Sequence, residues 1–155
     1  MSAEQQVRGF LAKFDPSVAR VAKAARTKMR RLLPGAIELV YDNYNALAIG
    51  FSPTERASDV IVSIALYPRW VSLFFMRGVE LKDPGGLLKG SGNRVRHIVL
   101  TEASILDSAG VRALMKAAVS LQPKALGPAN DRRTIVKSVS AKQRPRKPTA
   151  SRAGR

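Results

Sequence analysis

Residues 60–101 read VIVSIALYPRWVSLFFMRGVELKDPGGLLKGSGNRVRHIVLT and contain a tight hairpin, a glycine-rich loop and a returning strand. Proline favours the second position of a tight turn because its ring fixes φ, so Tyr67-Pro68-Arg69-Trp70 predicts a reversal of the chain. The strands on either side of this turn then pair antiparallel, and their side chains alternate between the two faces of one sheet.

The predicted register divides the hairpin into an aliphatic face and a mixed face. The aliphatic face pairs Val62 with Phe75, Ile64 with Leu73 and Leu66 with Val71. The mixed face pairs Ser63 with Phe74, Ala65 with Ser72 and Tyr67 with Trp70. The aliphatic face belongs in a core. Small residues beside aromatic ones leave room either for a packed helix, which is the commoner covering of a sheet, or for a ligand.

Helices are predicted on both sides of the sheet-forming region. Apolar residues recur at helical spacing over 4–14, over 18–33 and from about 107 to 122. Asp15-Pro16 is typical of a helix start, and a proline-glycine pair at 34–35 is typical of a helix end. The chain therefore begins with two helices and closes its core with one more.

Strands are predicted over 36–41, 46–51, the two arms of the hairpin and 97–101. Together with the three helices they indicate an α+β domain with a roughly five-stranded, mainly antiparallel sheet.

The composition indicates one domain without disulfides. The chain has 155 residues, 45% of them hydrophobic, and no cysteine, which allows a core and excludes thiolate metal sites. No apolar run approaches the roughly 18 residues of a membrane span, and the N-terminal MSAEQQVRGF lacks the features of a secretory signal. We therefore expect a cytoplasmic protein with no membrane partner.

Positive charge is concentrated after residue 123. The net charge is +16 overall, but residues 124–155 hold ten basic residues and one acidic residue. Lysine, arginine, proline and small polar residues dominate there, and such a composition buries too little apolar area to offset the entropy of ordering. The sequence therefore predicts a domain over 1–123 and a disordered basic tail over 124–155.

A basic tail can neutralise phosphates without reading sequence. This alternative predicts non-specific nucleic-acid binding through the arginine-rich face of the second helix and through Arg132, Arg133, Lys142, Arg144, Arg146 and Lys147. The other interpretations are a solubilising appendage and a solvated helix face.

The mixed face of the hairpin and the glycine-rich loop predict a ligand site. Backbone amides in a loop such as DPGGLLKGSG can surround an anion, although the spacing does not match a phosphate-binding P-loop and a purely structural loop is the alternative. The candidate ligand-binding residues are Glu38, Tyr41, Tyr67, Arg69, Trp70, Phe74, Arg77, Lys89, Arg94 and His97.

From about Val7 to Val119 the chain resembles the YdhG-like domain, a bacterial family. The matching residues are Arg30-Arg31-Leu32 before Pro34-Gly35, Glu38, Tyr41, the run 70–75, Gly78, 81–84 and 87–98. The resemblance implies a compact α+β domain with helices packed on an antiparallel sheet.

The same resemblance raises iron delivery, since some relatives are described as frataxin-like iron chaperones. Iron carriers of that kind need clustered carboxylates, and the ten acidic residues of 1–123 are scattered singly. An enzyme is a further alternative, with Glu38 and His97 as an acid–base pair if they share a face of the sheet. The favoured hypothesis is a non-catalytic binding domain, monomeric or homodimeric, for a small molecule or anion, with no cofactor and no metal.

Overall fold

The structure is a computed structural model that describes residues 1–148, and over these residues three α-helices pack on a six-stranded sheet. The helices are α1 (Ala3–Leu11), α2 (Pro16–Leu32) and α3 (Ala109–Ser120). The strands are β1 (Ile37–Asp42), β2 (Leu47–Ser52), β3 (Val62–Leu66), β4 (Val71–Phe75), β5 (Arg96–Leu100) and β6 (Thr134–Val139). The predicted α+β class is confirmed.

The hairpin has the register that the turn residues predict. Val62 pairs with Phe75 and Leu66 with Val71, and the backbone amide of Tyr67 donates to the carbonyl of Trp70 at 2.9 Å. The reversal at Pro68 therefore separates the aliphatic face from the mixed face as expected.

The strand order is β5-β4-β3-β2-β1-β6, with neighbours antiparallel except for β1 and β6, which run parallel. One continuous core joins the aliphatic face of the sheet to the buried stripes of all three helices. Ser2 caps α1 and Ser108 caps α3 through their side-chain oxygens, and Pro16 opens α2, as the sequence predicts for that helix. The helices thus occupy one side of the sheet.

The prediction of a disordered tail is wrong for residues 124–148, while 149–155 lie outside the described residues. Thr134–Val139 adds a sixth strand beside β1, where the sequence predicts roughly five. The segment before it also packs closely, because a Cβ built on Gly35 would lie 1.8 Å from the carbonyl oxygen of Gly127. Only a glycine at position 35 permits this approach between the turn after α2 and the segment after α3.

The sixth strand forms because a short apolar pair finds a partner far away in sequence. Val136 packs against the core and pairs with Val40 of β1. Ile135 pairs with Leu39 on the opposite face. The surrounding lysines and arginines are exposed. The basic composition of the segment therefore gives no indication of a strand, and β6 depends on its pairing with β1.

Packing of Val136 should contribute measurably to stability. We expect Val136→Ser to lower the free energy of unfolding in urea by about 1–2 kcal/mol, because it removes apolar area from the core side of β6. Val139→Ser is the matched control, since Val139 in the same strand is 55% exposed, and it should change that free energy by less than about 0.5 kcal/mol. Equal effects of the two variants would contradict the placement of β6.

Candidate functional site

Two carboxylates of β1 point into the protein on the helix side of the sheet. Glu38 is fully buried and accepts hydrogen bonds from the guanidinium groups of two arginines of α2. Arg26 donates to it at 2.8 Å and Arg30 at 2.7 Å, and the Thr134 hydroxyl donates at 2.7 Å from β6. Glu4 of α1 pairs with the same two arginines from the outside. This network ties α1, α2, β1 and β6 together.

The network keeps Glu38 ionised. Burial alone would raise its pKa, but the hydrogen bonds and positive charges of Arg30 and Arg26 prevail and lower the pKa to about 2. Glu38 is therefore a permanently charged structural group, without the tunable proton that acid–base catalysis uses.

This placement corrects two predictions about Glu38. The pairing of Glu38 with Phe51, which continues to Val62 and Phe75, puts its side chain on the aliphatic face of the sheet. His97 lies on the opposite face, where it contacts Phe74 with ring centroids 5.4 Å apart. Glu38 and His97 therefore do not form an acid–base pair, and Glu38 does not belong to the ligand-binding set.

Asp42 is the second buried carboxylate of β1. Lys13 donates to it at 2.7 Å and Arg146 at 2.9 Å. Burial would raise its pKa, whereas the hydrogen bonds of Lys13 and Arg146 lower it below the ordinary aspartate value. The Arg146 guanidinium also lies 5.6 Å from the centroid of the Phe14 ring. Arg146, which the sequence predicts to bind nucleic acid, is therefore buried, and it anchors its segment of the chain to Asp42.

The anchor at Arg146 orients the residues beside it. The backbone amide of Arg144 donates to the carbonyl of Tyr44 at 2.9 Å, and Gln143 donates to the carbonyl of Asp42 at 3.0 Å. Because Arg146 points inward, Arg144 and Lys147 are left exposed on the outer side of the segment. The chain here forms a wall that rests against the end of the sheet.

Tyr67 and Trp70 stack on each other at the tip of the hairpin. Their ring centroids are 4.7 Å apart and their planes differ by 16°. The Trp70 side chain is 44% exposed, although tryptophan is usually well buried. Burial raises the pKa of Tyr67, so its phenol stays neutral and can donate a hydrogen bond.

The stacked pair and the wall enclose a cleft of about 590 Å³, which we call the aromatic cleft. Its polar and aromatic lining consists of Asn45, Tyr67, Arg69, Trp70, Arg144 and Lys147, and three prolines complete it. Arg69, Arg144 and Lys147 make no ion pair within residues 1–148, and no acidic residue is among the described residues of the lining. The cleft is therefore aromatic and strongly positive.

A second depression of about 490 Å³ continues from the aromatic cleft across the mixed face, and we call it the sheet depression. Asn45 and Tyr67 line both. Its floor contains Ala48, Ser63 and Ala65 beside Phe74. The three α-helices lie on the other side of the sheet, so over residues 1–148 the small side chains leave an open surface here.

The remaining candidate ligand residues lie apart from the aromatic cleft. Arg77 pairs with Glu80 and donates to the carbonyl of Leu121 at 2.7 Å. Lys89 forms a backbone bridge with His97 at the β5 edge, and the carbonyl of Arg94 accepts from the amide of Val79. Tyr41 shares the mixed face and pairs with Ala48, but its buried hydroxyl has no partner among the described atoms.

The glycine-rich loop is held by its own residues. The Asp83 carboxylate accepts the backbone amides of Leu87 and Leu88 at 2.9 and 2.8 Å, and Gly86 and Gly90 have positive φ. The prediction of an anion-binding loop requires free backbone amides, but the amides of Leu87 and Leu88 already donate to Asp83.

Several of the residues predicted to bind nucleic acid already form ion pairs with acidic side chains. Arg133 pairs with Glu55, and on α2 Lys28 pairs with Asp107 while Arg26 and Arg30 turn toward Glu38. Lys142, Arg144, Lys147 and Arg132 remain exposed and make no ion pair within the described chain. Asn45 is a polar residue of the cleft that the sequence does not single out, since the turn-prone segment Asp42-Asn43-Tyr44-Asn45 gives no sign of facing a site.

Comparison of the chain with protein-family models, with curated proteins and with solved structures finds no match. The resemblance to the YdhG-like domain therefore stays a prediction that rests on the quoted residues.

Membrane-spanning helices and clusters of potential metal ligands are both absent from the described part of the chain. No helix there combines the length and hydropathy of a membrane-spanning segment. No group of three or more histidine, aspartate and glutamate side chains lies close enough to hold a metal ion, again over residues 1–148.

The pKa of Glu38 predicts a defined acid sensitivity. Because its pKa falls on folding from 4.5 to about 2, Glu38 contributes stability that is present above pH 4.5 and is lost as the pH falls toward 2. At about 1.4 kcal/mol per pKa unit this contribution is roughly 3 kcal/mol.

We expect Glu38→Gln to lower the free energy of unfolding at pH 7 by about 3 kcal/mol and to flatten its pH dependence between pH 4.5 and 2. Urea titrations at a series of pH values measure both quantities. Glu102→Gln is the control, since Glu102 is exposed and makes no ion pair within the described residues. An unchanged acid limb in Glu38→Gln would show that Glu38 is not held ionised.

Loss of the Arg146 anchor should release the wall of the aromatic cleft. We expect Arg146→Met to increase hydrogen exchange of the amides in 140–148 and to lower stability by about 2–3 kcal/mol, since Asp42 stays buried with Lys13 as its remaining cation. In Asp42→Asn/Arg146→Met the loss should be smaller than the sum of the single losses by about 1 kcal/mol or more. Additive losses would mean that the two side chains do not interact.

Proposed function

We propose that this chain is a non-catalytic binding domain that takes an anionic molecule carrying a planar ring. The observation that carries the proposal is the aromatic cleft, where the stacked Tyr67 and Trp70 rings face a wall bearing Arg144 and Lys147. An exposed tryptophan beside unpaired cations offers an apolar stacking surface and positive charge together, so this is where an anionic aromatic partner is best accommodated.

The two halves of the cleft suit the two parts of such a ligand. The face of an aromatic ring attracts another ring by offset stacking, which fixes the orientation of a planar group. Guanidinium groups hold carboxylate, sulfonate or phosphate oxygens with charge-assisted, often bidentate hydrogen bonds. Because the described lining contains no carboxylate, nothing there competes for Arg69 or Arg144.

The same lining favours binding over catalysis. The described residues around the aromatic cleft offer stacking surfaces, positive charge and the neutral phenol of Tyr67, and none of them is a carboxylate or an imidazole that could accept a proton near neutral pH. The two buried carboxylates, Glu38 and Asp42, are neutralised on the other side of the sheet. A role in recognition therefore needs the fewest additional assumptions.

A set of three probes tests the proposal. Naphthalene-2-sulfonate carries both a ring and a charge, 2-naphthol carries the ring alone, and sulfate carries the charge alone. We expect the sulfonate to bind at least about ten-fold more tightly than either by calorimetry, because only it engages both halves of the cleft. It should also shift the single indole N–H signal in the nitrogen–proton NMR spectrum, since the chain has one tryptophan.

Charge removal then locates the site. Arg144→Ala/Lys147→Ala should weaken sulfonate binding by about ten-fold or more, whereas Arg20→Ala/Lys23→Ala, which removes equal charge from exposed positions of α2, should not. Equal binding of naphthol and sulfonate, or an unmoved Trp70 signal at saturation, would overturn the proposal.

A further inference from the structure

We infer that the ligand of this surface is single-stranded nucleic acid, an inference that rests on the proposed function and names its ligand class. The aromatic cleft shares lining residues with two further depressions and connects them around the tip of the hairpin. It shares Tyr67 and Asn45 with the sheet depression on one side. On the other side it shares Trp70 and Arg69 with a depression of about 240 Å³ between α2 and β5, lined also by Val21 and Thr101.

Three depressions connected one to the next fit a chain molecule better than a compact one. Trp70 forms a ridge between two depressions, and Tyr67 forms the border of the next. Proteins that bind single strands use such aromatic side chains as platforms on which successive bases stack, whatever the base. In a duplex the base faces are already stacked on each other, so a platform of this kind selects unpaired strands.

Positive charge follows the same path. Arg69 borders two of the depressions, Arg144 and Lys147 border the cleft, and Lys142 lies exposed on the segment that forms its wall. No acidic residue is among the described residues that line any of the three depressions. A phosphate backbone laid across the ridge would therefore meet cations that have no competing partner, which is the arrangement that drives counterion release.

Most acidic residues of the chain are committed elsewhere. Seven of the eleven form ion pairs, namely Glu4, Glu38, Asp42, Glu55, Asp59, Glu80 and Asp107. Polar groups suited to base edges are present beside the rings, since the amide of Asn45 lines two depressions and that of Asn43 lines one. The surface thus offers stacking, phosphate neutralisation and a few hydrogen bonds without a sequence code.

Fluorescence anisotropy with labelled dT12 tests the inference on the full chain. We expect dT12 to bind more tightly than a twelve-base-pair duplex and to quench Trp70 emission. Trp70→Leu should weaken dT12 binding by about five-fold or more, because base–aromatic stacking is lost. Polyphosphate, which has no bases, should bind Trp70→Leu and the unaltered chain equally, because charge alone holds it.

A salt series separates the cleft cations from the general charge of the protein. Each phosphate contact with a single strand contributes about 0.7 to the slope of log K against log salt. Arg144→Ala/Lys147→Ala should therefore reduce the slope for dT12 by about 1.4, and Arg20→Ala/Lys23→Ala should leave it unchanged. The reverse result, with the slope reduced only by the α2 pair, would place the nucleic acid on the helices and overturn the inference.

The remaining outcomes distinguish this inference from the proposed function. If naphthalene-2-sulfonate binds at Trp70 but dT12 neither quenches Trp70 nor depends on it, the inference fails and the proposed function stands. If duplex and single strand bind equally and Trp70→Leu is neutral, the inference fails as well, because charge alone accounts for retention. If neither probe reaches Trp70, both proposals fall.

Discussion

Charge neutralisation at β1 is the constraint on which this fold depends. The side chains of Glu38 and Asp42 lie on the helix-covered face of the sheet, and both residues are fully buried. An unpaired carboxylate in such a place would cost several kcal/mol. Each therefore requires cations from distant parts of the chain, which are Arg26 and Arg30 of α2 for Glu38, and Lys13 and Arg146 for Asp42.

The two ion networks connect the core to the candidate site. Arg146 satisfies Asp42 on its inner side, and the residues on either side of it, Arg144 and Lys147, supply the positive wall of the aromatic cleft. The opposite wall is the tip of the hairpin with Tyr67 and Trp70. The cleft thus exists because a buried carboxylate on one strand holds the segment around Arg146 against a turn that lies more than seventy residues earlier in the chain.

Local signals in the sequence account for the hairpin and the helices but not for the sixth strand. Pro68 and the alternation around it determine the register, because turn geometry and side-chain period act over a few residues. Ile135 and Val136 give no comparable pattern within a lysine- and arginine-rich segment, and their stability comes from parallel pairing with β1 across almost a hundred residues. The orientation of Glu38 was equally hidden, since apolar residues occupy both faces of β1.

The candidate site divides in the same way. The stacking of Tyr67 and Trp70 follows from the turn, so the aromatic half of the cleft was predictable. The sequence also marks Arg144 and Lys147 as basic, yet it contains nothing to show that they meet these rings, because that contact depends on the burial of Arg146. Interactions between remote segments fix the cleft, and they leave no periodic trace in the chain.

The position of β6 also determines when the protein can mature during biosynthesis. A nascent chain that has emerged only as far as α3 can form the five antiparallel strands, but β1 is then an open edge, and Glu38 and Asp42 lack Thr134 and Arg146. Pairing of β6 closes this edge, and the arrival of Thr134 and Arg146 completes the two ion networks. A nascent chain whose residues 134–148 have not yet emerged from the ribosome would therefore be prone to association, because its exposed β1 edge can pair with other chains.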